Sequence, residues 1–331
     1  MSNRFWLHLL ARWLCVATGL VALFSSTYAQ EYPAKPVRLI VSVPPGGSAD
    51  ALARTLAPEV SRLLGQTLIV ENKPGAATNL ANEYVARAPA DGYTILLGGS
   101  FSHSVNPYLF AKLSYDPHKD FVSVIKLGAS GTSLFVVPNT LPVSNLKEFI
   151  DYAKTRGEAI NYASSGIGSP GHIAGAYFNR RAGLNMTHVP YKGAGEAVRD
   201  LIGGQVQLTI TSPTSILGLV RQGRAKALAT TTPGRNRLFA DIPGSEESGL
   251  PDFDMDGWYG IFVPTGTPVA VVSKIYAAFK GAMEASDVVV KLELQGLSSE
   301  PAMSSEQFAA FVRDNAKRWE LIVKQSGAQI P

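Results

Sequence analysis

The sequence predicts an α/β protein made of two lobes. Short apolar runs alternate with segments of helical periodicity, the alternation starts again in mid-chain, and glycine-rich loops follow strands in both series. Strands that alternate with helices form parallel sheets joined by right-handed crossovers. Ligands of such sheets bind outside the carboxyl ends of the strands, so the loops after the strands are the first candidates for a binding site.

The first series is predicted from apolar spacing. Buried strands are expected where dense apolar runs end in turn residues, and helices where apolar residues recur every three or four positions. The helix after the first strand ends at Gly65, a typical helix-terminating residue. The predicted strands are 37–43, 68–70 and 94–97, and the predicted helices are 50–64 and 79–87.

The second series begins after Lys126, and two helices are expected to finish the chain. The segment 231–256 is rich in proline, glycine and charge, so we interpret it as a loop. The last helix places apolar residues on one face. The predicted strands are 134–137, 161–163, 187–189, 206–211, 225–230 and 258–263, the predicted helices before the loop are 145–155, 172–182, 196–202 and 215–222, and the apolar face holds Phe308, Phe311, Val312, Trp319 and Val323.

The composition is that of a globular protein large enough to bury a sizeable core. The chain has 331 residues, of which 46% are hydrophobic and 17% charged. There are 30 basic against 26 acidic residues, a net charge of +4. This balance argues against a nucleic-acid-binding protein, in which basic residues are usually clustered.

The N-terminal segment is predicted to be a signal peptide, residues 1–29. Two arginines and the apolar run 13–24 precede a small-residue cleavage site that ends at Ala29. The alternative is a membrane anchor, but a bilayer span needs roughly 20 apolar residues. Cleavage is therefore expected near Ala29.

Cleavage would change both the charge and the cysteine content of the chain. Loss of Arg4 and Arg12 leaves 28 basic against 26 acidic residues, a net charge of +2, and Cys15 is the only cysteine. A mature chain without cysteine cannot form disulfides, thiolate metal ligands or a cysteine nucleophile. The expected location is the periplasm of a Gram-negative cell.

Loop one, residues 43–50, joins the first strand to the first helix. Its paired glycines allow the backbone to approach a ligand closely, and the helix behind them presents N–H groups that suit a carboxylate or phosphate. The alternative is a tight turn in which Ser48 or Asp50 caps the helix. The candidate ligand-binding residues are Val43, Pro45, Gly46, Gly47 and Ser48.

Loop two, residues 98–106, holds hydroxyls, an imidazole, a carboxamide and an aromatic ring. One alternative is a polar surface loop. Another is a hydrolase that uses Ser100 or Ser102 with His103, but adjacent residues seldom reach nucleophile–base geometry and no orienting acid is evident. The candidate ligand-binding residues are Ser100, Phe101, Ser102, His103 and Asn106.

Loop three, residues 164–172, follows a strand and opens a helix. Its glycines have the G-x-G-x-x-G spacing of a dinucleotide site, so a dinucleotide-binding enzyme is a rival interpretation. Pro170 interrupts that motif, and the next strand ends in 189–192 without an acid for a ribose. The candidate ligand-binding residues are Ser164, Gly166, Gly168, Ser169 and His172.

The three loops contain few charged residues, which favours binding over acid–base catalysis. The histidines that follow the signal peptide show no helical metal-ligand spacing. We therefore expect no metal, no cofactor and no enzymatic activity.

Six segments together resemble the Bug-type substrate-binding proteins, the periplasmic receptors of tripartite tricarboxylate transporters. The resemblance covers Tyr32 to Pro331, and the order and spacing of the segments make it specific. The segments are YPAKPVRLIVSVPPGGSAD, ENKPGAATNLANEYVARAPADGYTILL, HSVNPYLF with YDPHKDF, YASSGIGSPGHIAGAYF, HVPYKGAGEAVRDLIGGQVQL and WYGIFVPTGTP.

The resemblance implies a type II periplasmic binding fold, a Venus-flytrap arrangement with a ligand cleft between two α/β lobes. Lobe one would hold residues 30–128 plus 254–331, and lobe two residues 129–253, with crossovers near 122–128 and 256–262. The implied ligand is a small aliphatic or aromatic mono-, di- or tricarboxylate. The implied receptor is a monomer that presents its ligand to membrane subunits, and a role in sensing for a signalling partner remains open.

The resemblance also assigns roles to individual residues. Asp50 is expected to cap its helix, and Trp258 to pack at the hinge. Departures from the family pattern leave the ligand open, because Val43 replaces a frequent aromatic residue and Phe101 a smaller one. The family pattern matches here at Pro45, Gly46, Gly47, Asp50, His103, Asn106, Ser164, Gly166, Gly168, Ser169 and His172, with Ser102 in place of a threonine and with Gln207, Thr211 and Ser212 where acids are common.

Overall fold

Two five-stranded sheets, each flanked by helices, make up the computed structural model. It describes residues 32–129, 132–236, 239–294 and 301–327, so the predicted signal peptide lies outside the described residues. The sheets and helices belong to the unit that begins at Lys35. No helix within the described ranges is long and apolar enough to cross a bilayer.

The first sheet has the strand order β2-β1-β3-β10-β4. Strand β1 pairs in parallel with β2 and β3, with Leu39 opposite Val70 and Ile95, as the alternation of strands and helices predicted. Strand β10 is antiparallel to both of its neighbours. The strands are β1 (Val37–Val41), β2 (Leu68–Asn72), β3 (Thr94–Gly99), β4 (Phe121–Ala129) and β10 (Trp258–Pro264).

The second sheet has the strand order β7-β6-β8-β5-β9 and uses residues between β4 and β10. Strand β6 is parallel to β7 and β8. Strand β5 is antiparallel to β8 and β9, so the prediction of a parallel sheet is wrong at this strand. The strands are β5 (Leu134–Pro138), β6 (Asn161–Ser164), β7 (Thr187–Pro190), β8 (Leu208–Thr211) and β9 (Ala225–Thr230).

Ten α-helices connect and cover these strands in the described ranges. Three of them, rather than the predicted two, follow β10. The helices are α1 (Ser48–Leu64), α2 (Asn79–Ala86), α3 (Asn106–Leu109), α4 (Leu146–Lys154), α5 (Pro170–Arg181), α6 (Ala194–Ile202), α7 (Pro213–Arg221), α8 (Val269–Glu284), α9 (Ser286–Leu294) and α10 (Ser305–Ser326).

Helix α10 contacts both halves of the molecule. Near its start, Phe308 packs against Trp258 and Phe262 of β10, beside the first sheet. Nearer its end, Trp319 is buried in the same apolar cluster as Phe135 of the second sheet. The apolar face predicted for this helix is therefore confirmed, and it packs against the apolar cores of both sheets.

The crossovers join corresponding edges of the two sheets. Trp258, where β10 begins, lies opposite Ala129, where β4 ends, and the next residue of β10 pairs with Gly99 at the end of β3. In the second sheet, Leu134 at the start of β5 pairs with Thr211 at the end of β8. The carboxyl ends of the parallel strands in both sheets therefore adjoin the crossovers, and the loops after those strands share this region.

Candidate functional site

Loop one presents an uncapped helix end. Helix α1 begins at Ser48, and the residue before it, Gly47, has no side chain to receive the first N–H groups of the helix. Pro45, Gly46 and Ser48 are exposed. Hydrogen-bond donors at a helix N-terminus, together with the helix dipole, favour a bound anion.

Asp50 holds this loop in place from inside the helix. Its buried carboxylate accepts hydrogen bonds from Gly46 N–H at 2.9 Å, from Arg54 Nε at 2.9 Å and from Asn72 Nδ2 at 2.8 Å. Burial alone would raise the pKa of Asp50, but these hydrogen bonds together lower it. The predicted cap therefore needs correction, because Asp50 braces the turn before the N-cap and Gly47 occupies the N-cap itself.

Tyr259 is a site candidate that the sequence analysis missed. Its hydroxyl lies 2.8 Å from Ser48 Oγ, and it pairs with Gly99 across β3 and β10. Side chains alternate across a strand, so the burial of Trp258 in the core places Tyr259 on the opposite face. The alternation of side chains within WYGIFVPTGTP is the sequence signal that could have identified Tyr259 as a site residue.

Trp258 itself is a core residue. It is buried, its ring packs edge-on against Phe308, and its indole Nε1 donates to Asn315 Oδ1 at 2.8 Å. The structure thus ties the first residue of β10 to helix α10. Its role as a hinge residue stays a prediction.

Loop two is helical and buried, so the interpretation as a polar surface loop is wrong. Residues Phe101–Val105 form a π-helical turn that continues into α3. Ser100 is 2% exposed, Ser102 3% and His103 0%. A ligand in the cleft therefore has little access to these three side chains in this structure.

His103 is part of an aromatic core. Its ring stacks on Phe262 with 3.8 Å between centroids, and its Nδ1 lies 2.8 Å from Ser102 Oγ. Burial lowers the pKa of His103 to about 3, with a smaller contribution from His118. The serine and histidine do meet, but a fully buried imidazole whose Nε2 has no partner is unsuited to activate a nucleophile on an external substrate.

Asn106 supports the neighbouring loop. Its side-chain Nδ2 donates to Ala77 O and to Asn79 Oδ1, both at 2.7 Å. Residues 76–78 have left-handed backbone conformations, which are costly for residues with a side chain. The buried carboxamide of Asn106 thus holds a strained turn at the carboxyl end of β2.

Phe101 lies between the two halves of the molecule. Its half-buried ring is 6.3 Å from the ring of Trp319, and it packs against the same apolar cluster. The expectation that Phe101 forms an aromatic wall for the ligand stays a prediction. The structure shows packing against α10.

Loop three is a rigid turn before helix α5. Ser169 is the N-cap of α5, and its Oγ accepts the His172 N–H at 3.3 Å. His172 Nδ1 in turn accepts the Gly168 N–H at 3.1 Å. Ser164 is buried, and its Oγ contacts both Gly166 and, at 2.8 Å, His188 Nε2.

Two neutral histidines lie under loop three. The rings of His172 and His188 stack with 4.2 Å between centroids. Burial lowers the pKa of both, that of His188 to about 4 with a further contribution from His172. At neutral pH the loop therefore rests on two uncharged imidazoles, and Nδ1 of His172 remains free of a proton to accept from Gly168.

The structure brings loops one and two together, because they follow the adjacent strands β1 and β3. Loop three follows β6 in the other sheet, across the crossovers. Within the described ranges, no hydrogen bond links loop three to loop one or two. Two surface cavities of about 600 and 530 Å³ lie elsewhere, one lined by residues including Asp116 and His118, the other by residues including Arg38 and Tyr84.

Uncharged hydrogen-bonding groups dominate the three loops. Their backbone N–H groups, hydroxyls and helix ends can receive an anion without placing a charged side chain beside it. The one acid of loop one, Asp50, is already engaged by three donors. This arrangement suits reversible binding of a small anion.

Comparison with proteins of known sequence points to one family. The tripartite tricarboxylate transporter family receptor profile matches residues 52–328. Protein BugT of Bordetella pertussis is 32% identical over 317 residues, which covers 95% of this chain and 96% of BugT. A UPF0065 protein from the tcbD-tcbE intergenic region of Pseudomonas sp. strain P51 is 33% identical over 303 residues, which cover 90% of this chain and 89% of that protein.

Solved structures agree with this assignment. A protein of R. palustris, solved with adipate, has a TM-score of 0.81 at 32% identity and covers 91% of this chain and all of its own. MatC from Rhodopseudomonas palustris, solved with malate, has a TM-score of 0.77 at 32% identity and covers 88% of this chain and all of its own. The periplasmic binding protein BugD has a TM-score of 0.77 at 30% identity and covers 90% of this chain and 99% of its own.

These matches confirm the two-lobed periplasmic binding fold. They also exclude the hydrolase and dinucleotide-enzyme interpretations, because the family is one of receptors. The chain belongs to the receptor family of the tripartite tricarboxylate transporters.

Proposed function

We propose that this chain is a periplasmic receptor that binds a small carboxylate between its two lobes and delivers it to the membrane subunits of a tripartite transporter. The observation that carries the proposal is the exposed, uncapped N-terminus of α1 behind Gly46 and Gly47, at the crossover edge of the first sheet. A carboxylate supplies the acceptor oxygens that these N–H groups lack.

Two structural relatives support the ligand class. One was solved with adipate and one with malate, both small dicarboxylates. The two acids differ in length and in hydroxylation, so the fold serves more than one member of the class. The ligand of this chain is proposed at the level of the class.

The proposed site draws on both lobes. Loop one contributes Gly46, Gly47 and Ser48, and Tyr259 extends this wall through its contact with Ser48. The buried side chains of loop two support this wall from below. Loop three contributes, from the other lobe, Gly166, Gly168, Ser169 and His172, and the buried Ser164 supports them from below.

The affinity expected from these groups is moderate. Each interaction with a helix end contributes about 0.3–1 kcal/mol, and each charge-assisted hydrogen bond about 1.5–3 kcal/mol. A few such interactions, reduced by the cost of ordering the ligand, correspond to a micromolar dissociation constant.

We also propose export and the lobe boundaries that the sequence predicts. Residues 1–29 are removed on export, lobe one comprises 30–128 and 254–331, and lobe two comprises 129–253. The two five-stranded sheets lie within these proposed lobes, and the antiparallel pair β4 and β10 lies where they join. The receptor acts as a monomer.

The test is calorimetric titration of the purified protein with aliphatic and aromatic mono-, di- and tricarboxylates, with neutral sugars as negative controls. We expect micromolar binding of at least one carboxylate, together with a rise in unfolding temperature that depends on ligand concentration. Binding of sugars but of no carboxylate would contradict the proposal.

Ser169→Ala tests the site in lobe two. The substitution removes both a proposed ligand contact and the N-cap of α5, and loss of the cap alone costs about 1 kcal/mol of stability. Asn145→Ala is the matched control, because Asn145 caps α4 through the N–H of Glu148. We expect comparable destabilisation of both variants, with weaker carboxylate binding only in Ser169→Ala.

A further inference from the structure

Ile167 is an exposed apolar residue in an otherwise polar loop. It is 62% exposed and lies between Gly166 and Gly168 in loop three. It belongs to none of the three apolar clusters that contain Phe135, Val136 and Phe262. Single exposed apolar residues are common on protein surfaces, so exposure alone assigns no role.

The backbone around Ile167 is tightly held. Ser169 N–H donates to Gly166 O at 3.2 Å, which closes a turn with Ile167 at its tip. Gly166 and Gly168 have φ angles of +133° and +78°, which strongly favour glycine. With the hydrogen bonds from Ser164 and to His172, this turn presents an isoleucine to solvent in one fixed position.

The fixed position lies on the crossover side of the second sheet. Loop three follows Ser164 at the carboxyl end of β6, the edge at which β5 begins after the crossover. Loop one and Tyr259 lie at the corresponding edge of the first sheet. Ile167 and the first-lobe wall of the proposed site therefore both lie at the edges of their sheets that adjoin the crossovers.

The chemistry of the surrounding groups leaves one part of a carboxylate ligand uncovered. Backbone N–H groups and hydroxyls receive the carboxylate oxygens, but they do not cover a hydrocarbon chain. Ile167 is the apolar side chain at the tip of loop three, and its contact with methylene groups would remove apolar surface from water.

We propose that Ile167 is a specificity-determining residue that contacts the hydrocarbon body of the bound carboxylate and favours ligands with longer unsubstituted chains. This inference rests on the proposed function. Binding then separates into two parts, with polar groups that recognise the carboxylate and an aliphatic contact that selects what is attached to it.

The experiment is a calorimetric titration of the wild-type protein with the straight-chain dicarboxylates from succinate to suberate. Ile167→Ser is compared with Leu321→Ser, because Leu321 is also 62% exposed but lies on α10. We expect the wild-type affinity to increase with chain length. In Ile167→Ser, affinity for the longer acids falls about tenfold while that for succinate changes less than about twofold.

Three results would overturn the inference. Identical affinities of Ile167→Ser and wild type for every acid would remove Ile167 from the site and leave the proposed function intact. An equal loss of affinity for short and long acids would mean that the substitution disturbs the turn rather than an aliphatic contact. Failure of the wild type to bind any dicarboxylate would contradict the dicarboxylate part of the proposed function, and this inference with it.

Discussion

Loops one and two carry the same tripeptide in very different surroundings. Gly46-Gly47-Ser48 comes after β1 and Gly98-Gly99-Ser100 lies at the end of β3, the adjacent parallel strand, and both lead into a helical segment. Ser48 is exposed and reaches Tyr259, whereas Ser100 is 2% exposed. The tripeptide therefore does not determine whether a loop faces a ligand or the core.

The difference arises from where each strand ends. Strand β1 stops at Val41, so the glycines of loop one lie beyond the sheet. Strand β3 includes Gly98 and Gly99, which pair with β10. A Cβ at Gly98 would lie 2.7 Å from the ring of His103, while one at Gly46 would meet no atom within 4 Å. Glycine serves close packing in loop two and an open turn in loop one.

The largest expected effect is the pH dependence of stability that His103 causes. The imidazole of His103 is surrounded by the rings of Phe121, Trp258 and Phe262. Its pKa is about 3 when folded and about 6.5 when unfolded. Between these values the unfolded chain binds a proton that the folded chain does not, so stability falls as the pH is lowered. Denaturant titrations should show a loss of about 3 kcal/mol from this group between pH 7 and pH 4.

His103→Phe tests that assignment, because it keeps an aromatic ring against Phe262 and removes the titrating group. His188, with a lowered pKa of about 4, remains in the variant and contributes its own pH dependence. We therefore expect a shallower but not flat profile. An unchanged slope would contradict a neutral, buried His103.

Gly98→Ala should have the next largest effect. The added methyl would press against His103 and against Phe262 Cδ2 at 2.9 Å, and overpacking of this kind costs about 2 kcal/mol. The control is Gly195→Ala in helix α6, where a Cβ meets nothing within 4 Å. Urea denaturation should show that variant to be unchanged or slightly stabilised, since alanine favours helices. Equal effects in both variants would refute the packing role of Gly98.

Asp50→Ala should lower the free energy of unfolding by about 1.5 kcal/mol, because the N–H of Gly46 and the side chain of Asn72 would lose their shared acceptor. We also expect weaker carboxylate binding, since the turn before α1 is no longer held. The two effects are measured by denaturation and by calorimetry. Lost stability with unchanged affinity would show that carboxylate binding does not depend on the turn that Asp50 holds.

Ser48→Ala and Ser102→Ala should have the smallest effects on stability, and they compare loop one directly with loop two. Ser48 is exposed, so its loss should change stability by less than about 0.5 kcal/mol but reduce carboxylate affinity severalfold. Ser102 is buried against His103, so its loss should cost about 1 kcal/mol and leave affinity nearly unchanged. The reverse pattern would place loop two, rather than loop one, at the ligand.

The parts of the fold that local spacing encodes were predictable. The parallel order of β1, β2 and β3 followed from apolar runs separated by helices. The antiparallel placement of β5 and β10 did not, because a strand that crosses between lobes has the same apolar pattern as one that does not. Direction in a sheet depends on partners that are distant in sequence, which periodicity does not report.

The same limit applies to the candidate site. Loop three was placed correctly as the entrance to a helix, and Ser169 is its N-cap, because capping is a local interaction. The surface-loop alternative for loop two was wrong because distant elements cover this loop, Phe262 of β10 against His103 and Trp319 of α10 against Phe101. Polar composition suggested a surface, but tertiary contacts decided the burial.

The position of β10 constrains the order in which the molecule can fold. This strand lies between β3 and β4, yet it follows the whole second sheet in sequence. The second sheet comes from one continuous stretch, Leu134–Thr230, and can form as soon as that stretch is available. The first sheet is complete only when Trp258–Pro264 has paired between β3 and β4, which come much earlier in the sequence. Because pairings between distant segments form slowly, the half of the protein that begins the chain should be the half that folds last.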